Sequence, residues 1–210
     1  TSALLGLLAL GFALALALPL GLLAAYFRDS WIDRLCVFIS TLGISVPHFI
    51  LGALLIWGVA LQLGWLQAGR WDDWTSAVLP MATLGAAPAA YLAALLRSTL
   101  IETFGEDFIR TARAKGVKES AVVLRHALRH SLIPVLTVMG PLTAALLTGS
   151  FVVEYVFAIP GMGRFFITAV TDRDYPLIMG VTLVYTALLV GANLFVDLLY
   201  GLVDPRIRTE

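Results

Sequence analysis

Apolar residues along this chain come in long unbroken runs, not in a one-sided stripe. Five charge-free runs reach the roughly 20 residues that cross a bilayer: positions 1–27, 35–69, 74–96, 131–153 and 175–196. They predict an all-α, polytopic integral membrane helix bundle with spans at about 2–27, 35–63, 75–96, 131–153 and 175–196. The second run is longer than one span requires, so Pro47 and the Gly64-Trp65 pair are expected to mark its ends or a kink. Pro47, Pro88 and Pro141 are each expected to bend or break a helix, because proline lacks an N–H and its ring crowds the preceding turn. The first run reads as a span and not as a cleaved leader. No positive segment precedes it, its apolar stretch is too long, and Arg28-Asp29 follow it as a stop-transfer flank.

The polar interruption at 97–130 departs from this pattern. It holds seven of the fourteen Lys/Arg residues: Arg97, Arg110, Arg113, Lys115, Lys118, Arg125 and Arg129. Phe104, Phe108, Ala112 and the stem of Lys115 fall near one stripe of a helix over 104–115. Glu106 and Asp107 lie at its N-terminal end, Arg113 and Lys115 at its C-terminal end, the signs that complement a helix dipole. Gly116 suits a left-handed position just past that helix. A second helix is predicted from about Lys118. Val117, Ala121, Leu124 and Leu128 recur on it at i, i+4, i+7 and i+11, while Lys118, Arg125 and Arg129 project elsewhere. Pro134 fits the first turn of the following span. A solvated basic loop would satisfy the positive-inside rule by itself. An ordered helix–glycine–helix hairpin exceeds what topology needs and points to something that docks on it.

Composition and charge narrow the class. The chain is 60% hydrophobic and 13% charged, against about 25% charge in an ordinary soluble domain. Net charge is zero and no nucleic-acid-binding motif is present, so no nucleic-acid partner is expected. The single cysteine, Cys36, excludes an internal disulfide framework and a Cys-based zinc site; in its apolar run it reads as a small buried hydrophobe. Lys/Arg residues number two, seven and two in the segments 28–34, 97–130 and 197–210, against one and two in 64–73 and 154–174. The first set is therefore expected on the cytoplasmic side. Trp57, Trp65, Trp71 and Trp74 gather at the opposite interface, and Tyr26, Phe27, Trp31 and Tyr200 at the cytoplasmic one. Five spans and a cytoplasmic C-terminus put Thr1 outside, and an upstream segment of one span plus an external region is expected before it.

The strings Phe108-Ile109-Arg110-Thr111-Ala112-Arg113-Ala114-Lys115-Gly116 and Arg125-His126-Ala127-Leu128-Arg129-His130-Ser131-Leu132-Ile133-Pro134 resemble the cytoplasmic coupling loop of ABC-transporter permeases. The likeness is to the peptide/nickel import branch, and leans towards the first permease subunit of its oligopeptide systems. It extends through Gly43-Ile44-Ser45-Val46-Pro47-His48-Phe49, Leu79-Pro80, Gly149-Ser150-Phe151-Val152-Val153-Glu154 and Phe157-Ala158-Ile159-Pro160-Gly161-Met162-Gly163-Arg164. Asp172-Arg173-Asp174-Tyr175-Pro176, Asn193-Leu194-Phe195-Val196-Asp197-Leu198-Leu199-Tyr200 and Asp204-Pro205-Arg206-Ile207 continue it, so it covers essentially the whole chain. The general permease pattern opens with Glu-Ala-Ala where this chain has Arg110-Thr111-Ala112, and the interval from Gly116 to Pro134 is longer than in sugar permeases. Both departures match the peptide/nickel branch.

The resemblance implies a type I ABC importer transmembrane domain occupying 1–210, with six spans in the family and the coupling loop between the fourth and fifth. It implies a second homologous permease, two cytoplasmic ABC ATPases and an external or periplasmic solute-binding protein as partners, in the inner membrane of a bacterium or archaeon. By carry-over, Arg110, Ala112, Arg113, Ala114, Lys115, Gly116, Val117, Ala121, Leu124 and Arg125 form the ATPase-coupling loop. Ser150, Glu154, Pro160, Gly161 and Gly163 are candidates for an outer gate or pathway segment. Glu154 also reads as a plain span-ending charge, and 172–174 as a solvated turn. The substrate class implied is oligopeptides or dipeptides, with nickel and glutathione as alternatives. Scarce span histidines weigh against direct nickel ligation, since imidazole is a preferred nickel ligand.

Several chemistries lack their residues. The two lysines, Lys115 and Lys118, neither follow glycine nor precede Ser/Thr, so no Walker A loop exists. No cofactor is expected on this chain; ATP and magnesium belong to the partner ATPase. His126 and His130 stand four apart with no glutamate between them, a poor metal pair. His48 is alone in an apolar run, and reads either as a functional intramembrane group or as a neutral ring bonded to a freed carbonyl. A remote alternative is an intramembrane hydrolase using Ser45 and His48 on one helix face, but no nucleophile elbow supports it. The chain is read as no enzyme.

Overall fold

A computed structural model describes the backbone of residues 1–203 and the side chains of residues 1–194. The tail charges Arg206 and Arg208 and the string from Asp204 lie outside the described residues. Every regular element among the described residues is helical. This is the solution that a bilayer permits an isolated apolar segment, because each backbone N–H must find its carbonyl within the segment.

Helix α1 covers Ser2–Tyr26 and α2 covers Trp31–Ser45. Val46-Pro47 then separate α2 from α3 (His48–Leu55), which continues as a π-helical stretch over Ile56–Gln62. The expected single span over 35–63 is thus a broken pair. Helix α4 runs from Trp74 to Phe104. Asp73 caps its start: its carboxylate accepts the Ser76 N–H at 3.0 Å, and the Ser76 hydroxyl lies 3.4 Å from the Asp73 N–H. Helix α5 is Asp107–Ala114 and α6 is Glu119–Ala121, followed by a π-helical turn over Val122–Ala127 and α7 over Leu128–Leu147. Short α8 (Phe151–Val156), α9 (Met162–Asp172) and long α10 (Tyr175–Val203) complete the order. Among the described residues, four helical stretches are long and apolar enough to cross a membrane, and five if the broken pair counts as one crossing.

Several boundaries depart from the apolar runs. Helix α4 passes its expected end at 96 and carries Arg97 to Phe104 as helix. The run 131–153 is not one helix, because α7 stops at Leu147 and Gly149, at φ +79°, turns the chain into α8. Pro134 lies inside α7, not in its first turn, since helix continues into α7 from Glu119. Of the three prolines expected to interrupt helices, only Pro47 stands at a break; α4 and α7 are continuous through Pro88 and Pro141. Ser45 and His48 sit on different helices, which removes the shared face required by the hydrolase alternative. The His48 ring lies 3.1 Å from the Thr83 carbonyl. That carbonyl is adjacent to the Leu84 oxygen that Pro88 leaves without a helical donor.

The chain forms two compact units. The first comprises Thr1–Phe12, Val46–Gly85 and the described residues from Gly140 onward. Its core is Leu5, Ala9, Leu79, Leu84, Leu146, Val153, Phe157 and Ile159. The second comprises Ala13–Ser45 and Ala86–Met139. Its buried residues include Ala17, Ala24, Ala89, Ala90 and Ala93, with Leu92, Leu96 and Leu100. Small side chains suit a core built in lipid, where association depends on close backbone approach rather than on expelling water.

Candidate functional site

The helix–glycine–helix hairpin exists in the second unit. Glu106 stands at the N-cap of α5, Asp107 occupies its first turn and Arg113 its last. Gly116 adopts φ +74°, and its N–H and that of Val117 close the end of α5 on the carbonyls of Arg113 and Ala112. Arg113 reaches across the turn and binds Glu119 with two nitrogens, at 2.6 and 3.1 Å, and its guanidinium lies 6.0 Å from the Phe104 ring centroid. The pair holds the Glu119 carboxyl below its ordinary range and the Arg113 guanidinium above its own. Arg110 lies exposed, 3.5 Å from Asp107. Ala114, Lys115 and Arg125 are exposed, while Val117 and Ala121 are half-buried.

The buried faces of both helices differ from the predicted stripes. Ile109 and Ala112 are the buried residues of α5, which starts at Asp107, so Phe108 is left partly exposed with its ring 5.0 Å from that of His130. In the second helix Val122, Val123 and Ala127 are buried, whereas Leu124 is 55% exposed. The π-helical turn explains this. Its i→i+5 bonds widen the turn and bring Val122 and Ala127, five apart, onto one buried face with Val123. Leu124 is thereby presented outward beside Arg125.

In the first unit, the segment from Ser150 to Gly163 is closely built. The Ser150 hydroxyl caps α8 by accepting the Val153 N–H at 3.3 Å. Glu154 is not a solvated span end: it is 1% exposed, and its Oε2 accepts the Gly163 N–H at 2.7 Å, at the start of α9. That bond satisfies one of the N–H groups that open α9 and lack a partner inside the helix. Its Oε1 has no hydrogen-bond partner among the described residues. Gly149, Gly161 and Gly163 surround the carboxylate so closely that a Cβ on any of them would collide with it. Ser2 joins the cluster, its hydroxyl accepting the Met162 N–H at 3.3 Å. Pro160 is exposed, and Arg173 at φ +57° ends α9, whose last residue Asp172 is exposed together with Arg173 and Asp174.

Two features lay beyond the sequence reading. Arg70, Trp71 and Ala158 all adopt positive φ, and the Arg70 N–H donates to the Phe157 carbonyl at 3.1 Å. Gln67, Arg70, Asp72 and Phe157-Ala158 line a cavity of about 620 Å³ beside this contact. Nothing in the local sequence marks it beyond Gly69, where an added Cβ would collide with the Phe157 carbonyl. The second feature is an ion pair between Asp33 and Arg97 in the second unit, at 2.7 Å through both carboxylate oxygens. Its available signal was one acid and one base, each at the edge of an apolar run, where a charge needs a partner.

The family described as binding-protein-dependent transport system inner membrane component matches residues 17–209. The chain belongs to this family. This transport component is accordingly a multi-pass protein of the inner membrane. It is 46% identical over 204 residues to the dipeptide transport system permease protein DppB of Bacillus subtilis (strain 168), covering 97% of this chain and 66% of that protein. It is 45% identical over 197 residues to the glutathione transport system permease protein GsiC of Escherichia coli (strain K12), covering 94% and 64%. The chain thus spans just under two thirds of the length of these relatives. Among solved structures, the inward-facing MetNI methionine ABC transporter matches with TM-score 0.77 at 19% identity, covering 97% of this chain and 93% of that one. An amino acid ABC transporter matches with TM-score 0.70 at 17% identity, covering 94% and 88%. The fold is that of a type I ABC importer transmembrane domain.

Proposed function

We propose that this chain is the main part of a permease subunit of an ATP-driven ABC importer for short peptides. The observation that carries the reading is the 46% identity to a dipeptide permease along 97% of the chain, hairpin included. Substrates of the peptide class, dipeptides to glutathione-like molecules, fit both relatives. The hairpin faces the cytoplasm with the chain's C-terminus, in line with its share of Lys/Arg, and segments 64–73 and 154–174 face outside. Leu124 and Phe108, flanked by Arg125 and Arg110, dock on an ABC ATPase. A second homologous permease completes the solute path, a second ATPase completes the motor, and an external solute-binding protein delivers to the segment around Ser150, Glu154 and Pro160. ATP and magnesium are held by the ATPases and not by this chain.

The full-length protein, co-expressed with its cognate ATPases and second permease, should take up a labelled dipeptide in vesicles only with both ATP and binding protein present. Uptake by the permease alone without nucleotide would overturn the reading. A cognate binding protein that holds a sugar tightly and no peptide would remove the peptide assignment.

A further inference from the structure

We infer that the Asp33–Arg97 pair is a mechanical pin that makes the α1–α2 turn move with the coupling hairpin; this rests on the hairpin being the ATPase-docking element. Both are positioning residues. Arg97 Nε donates to Asp33 Oδ1 and a terminal nitrogen donates to Oδ2, each at 2.7 Å. Oδ2 also accepts the Asp29 N–H at 3.0 Å, so the carboxylate is bound on α4 and on the turn itself. Asp33 is 4% exposed. The other ion pairs among the described residues join positions no more than six apart; this one joins positions 64 apart.

The same end of α4 is tied to α7, the helix that continues from the hairpin, and touches the hairpin itself. The Thr99 hydroxyl donates to the Ser131 carbonyl at 3.2 Å, and the Ser131 hydroxyl donates to Thr103 at 2.9 Å. Phe104 lies under the Arg113 guanidinium, and Arg113 holds Glu119 across the hairpin turn. A path of contacts therefore runs from Glu119 through Arg113 and Phe104 to α4, and along α4 to Arg97 and Asp33. Apolar contact alone would serve for stability, because replacing a buried ion pair with packed hydrophobes is often neutral or better. A bidentate pair adds fixed orientation between the groups it joins. That property suits a joint that must carry displacement from one helix to another.

The test uses the assembled transporter, with spin labels on Arg28→Cys and Ser120→Cys, both exposed sites. The native Cys36 is buried and stays unlabelled. The distance between the labels should be the same in the nucleotide-free and ATP-bound states. In Asp33→Asn, ATPases should still co-purify and hydrolyse ATP, the label distance should become nucleotide-dependent, and peptide uptake per ATP should fall about tenfold. Arg97→Lys keeps the charge but not the two-pronged geometry, and should fall between parent and Asp33→Asn. A distance that already changes with nucleotide in the parent overturns the pin, whatever the variants do. So does unchanged uptake per ATP in Asp33→Asn, which would leave the pair a static staple. Absence of any ATPase bound to the parent would remove the proposed function, and the pin with it.

Discussion

Gly116 turns the hairpin at φ +74°, and no neighbouring atom stands where a Cβ would go. The penalty for replacing it is therefore one of backbone conformation alone, about 1–2 kcal/mol for an ordinary residue in the left-handed region and more for a β-branched one. Gly116→Val should leave membrane insertion and expression largely intact while lowering ATPase co-purification or stimulated hydrolysis. Gly116→Asn, which tolerates this region, should stay near the parent. Full stimulated hydrolysis and uptake in Gly116→Val would deny the hairpin a coupling role. Asp33 poses a different residue-scale problem. Arg97→Ala leaves a buried carboxylate without a cation, a loss of about 3–5 kcal/mol, whereas Asp33→Asn leaves an Arg97 that is 27% exposed and can turn towards water. Thermal melting in detergent should rank Arg97→Ala below Asp33→Asn. The Arg97 hydrogen bonds hold the Asp33 carboxyl below its usual range against the opposing push of burial. Its folded value thus lies below the unfolded value of about 3.9. The pair's contribution is complete above that value and is lost as pH falls through the folded one. Melting followed from pH 7 to pH 3 should show an acid-side loss in the parent that is smaller in Asp33→Asn.

At the scale of elements, the join of α8 to α9 is held by contact rather than by helix propensity. A six-residue α8 has too few internal bonds to persist alone, and Glu154 fastens it to the first turn of α9. Gly161→Ala or Gly163→Ala forces a methyl against the Glu154 carboxylate, and overpacking of this kind costs about 1–3 kcal/mol. Gly180→Ala on α10 is the matched control, since nothing lies within 4 Å of its added Cβ; there alanine should stabilise by about 0.5–1 kcal/mol through helix entropy. Melting temperatures of the three variants check the contrast, and equal shifts would mean that the cradle is loose. The hairpin's second helix makes the complementary point. Its π-helical turn exchanges a regular stripe for a buried Val122-Val123-Ala127 face and an outward Leu124.

For the whole molecule, the sidedness drawn from Lys/Arg counts is open to direct measurement. Lys118→Cys should react with an impermeant thiol reagent only from the cytoplasmic side, and Gln67→Cys only from outside. Labelling of residue 118 from outside would invert the proposed topology. Apolar run length was enough to establish an all-α membrane protein, because bilayer thickness and the need to satisfy every backbone N–H leave little else for such segments. The glycine turn of the hairpin was equally legible, since Gly116 follows a helix whose end charges announce where it stops. Which proline breaks a helix was not legible: Pro47 does, while α4 and α7 run on through Pro88 and Pro141. Breaking depends on whether neighbouring groups satisfy the freed carbonyls, which are contributed from elsewhere in the chain. The same holds for charges. Asp33 meets Arg97 across 64 positions, and Glu154 turns inward onto the Gly163 N–H. Periodicity describes the faces of one element at a time. These partners belong to different elements, so only their packing in three dimensions decided them.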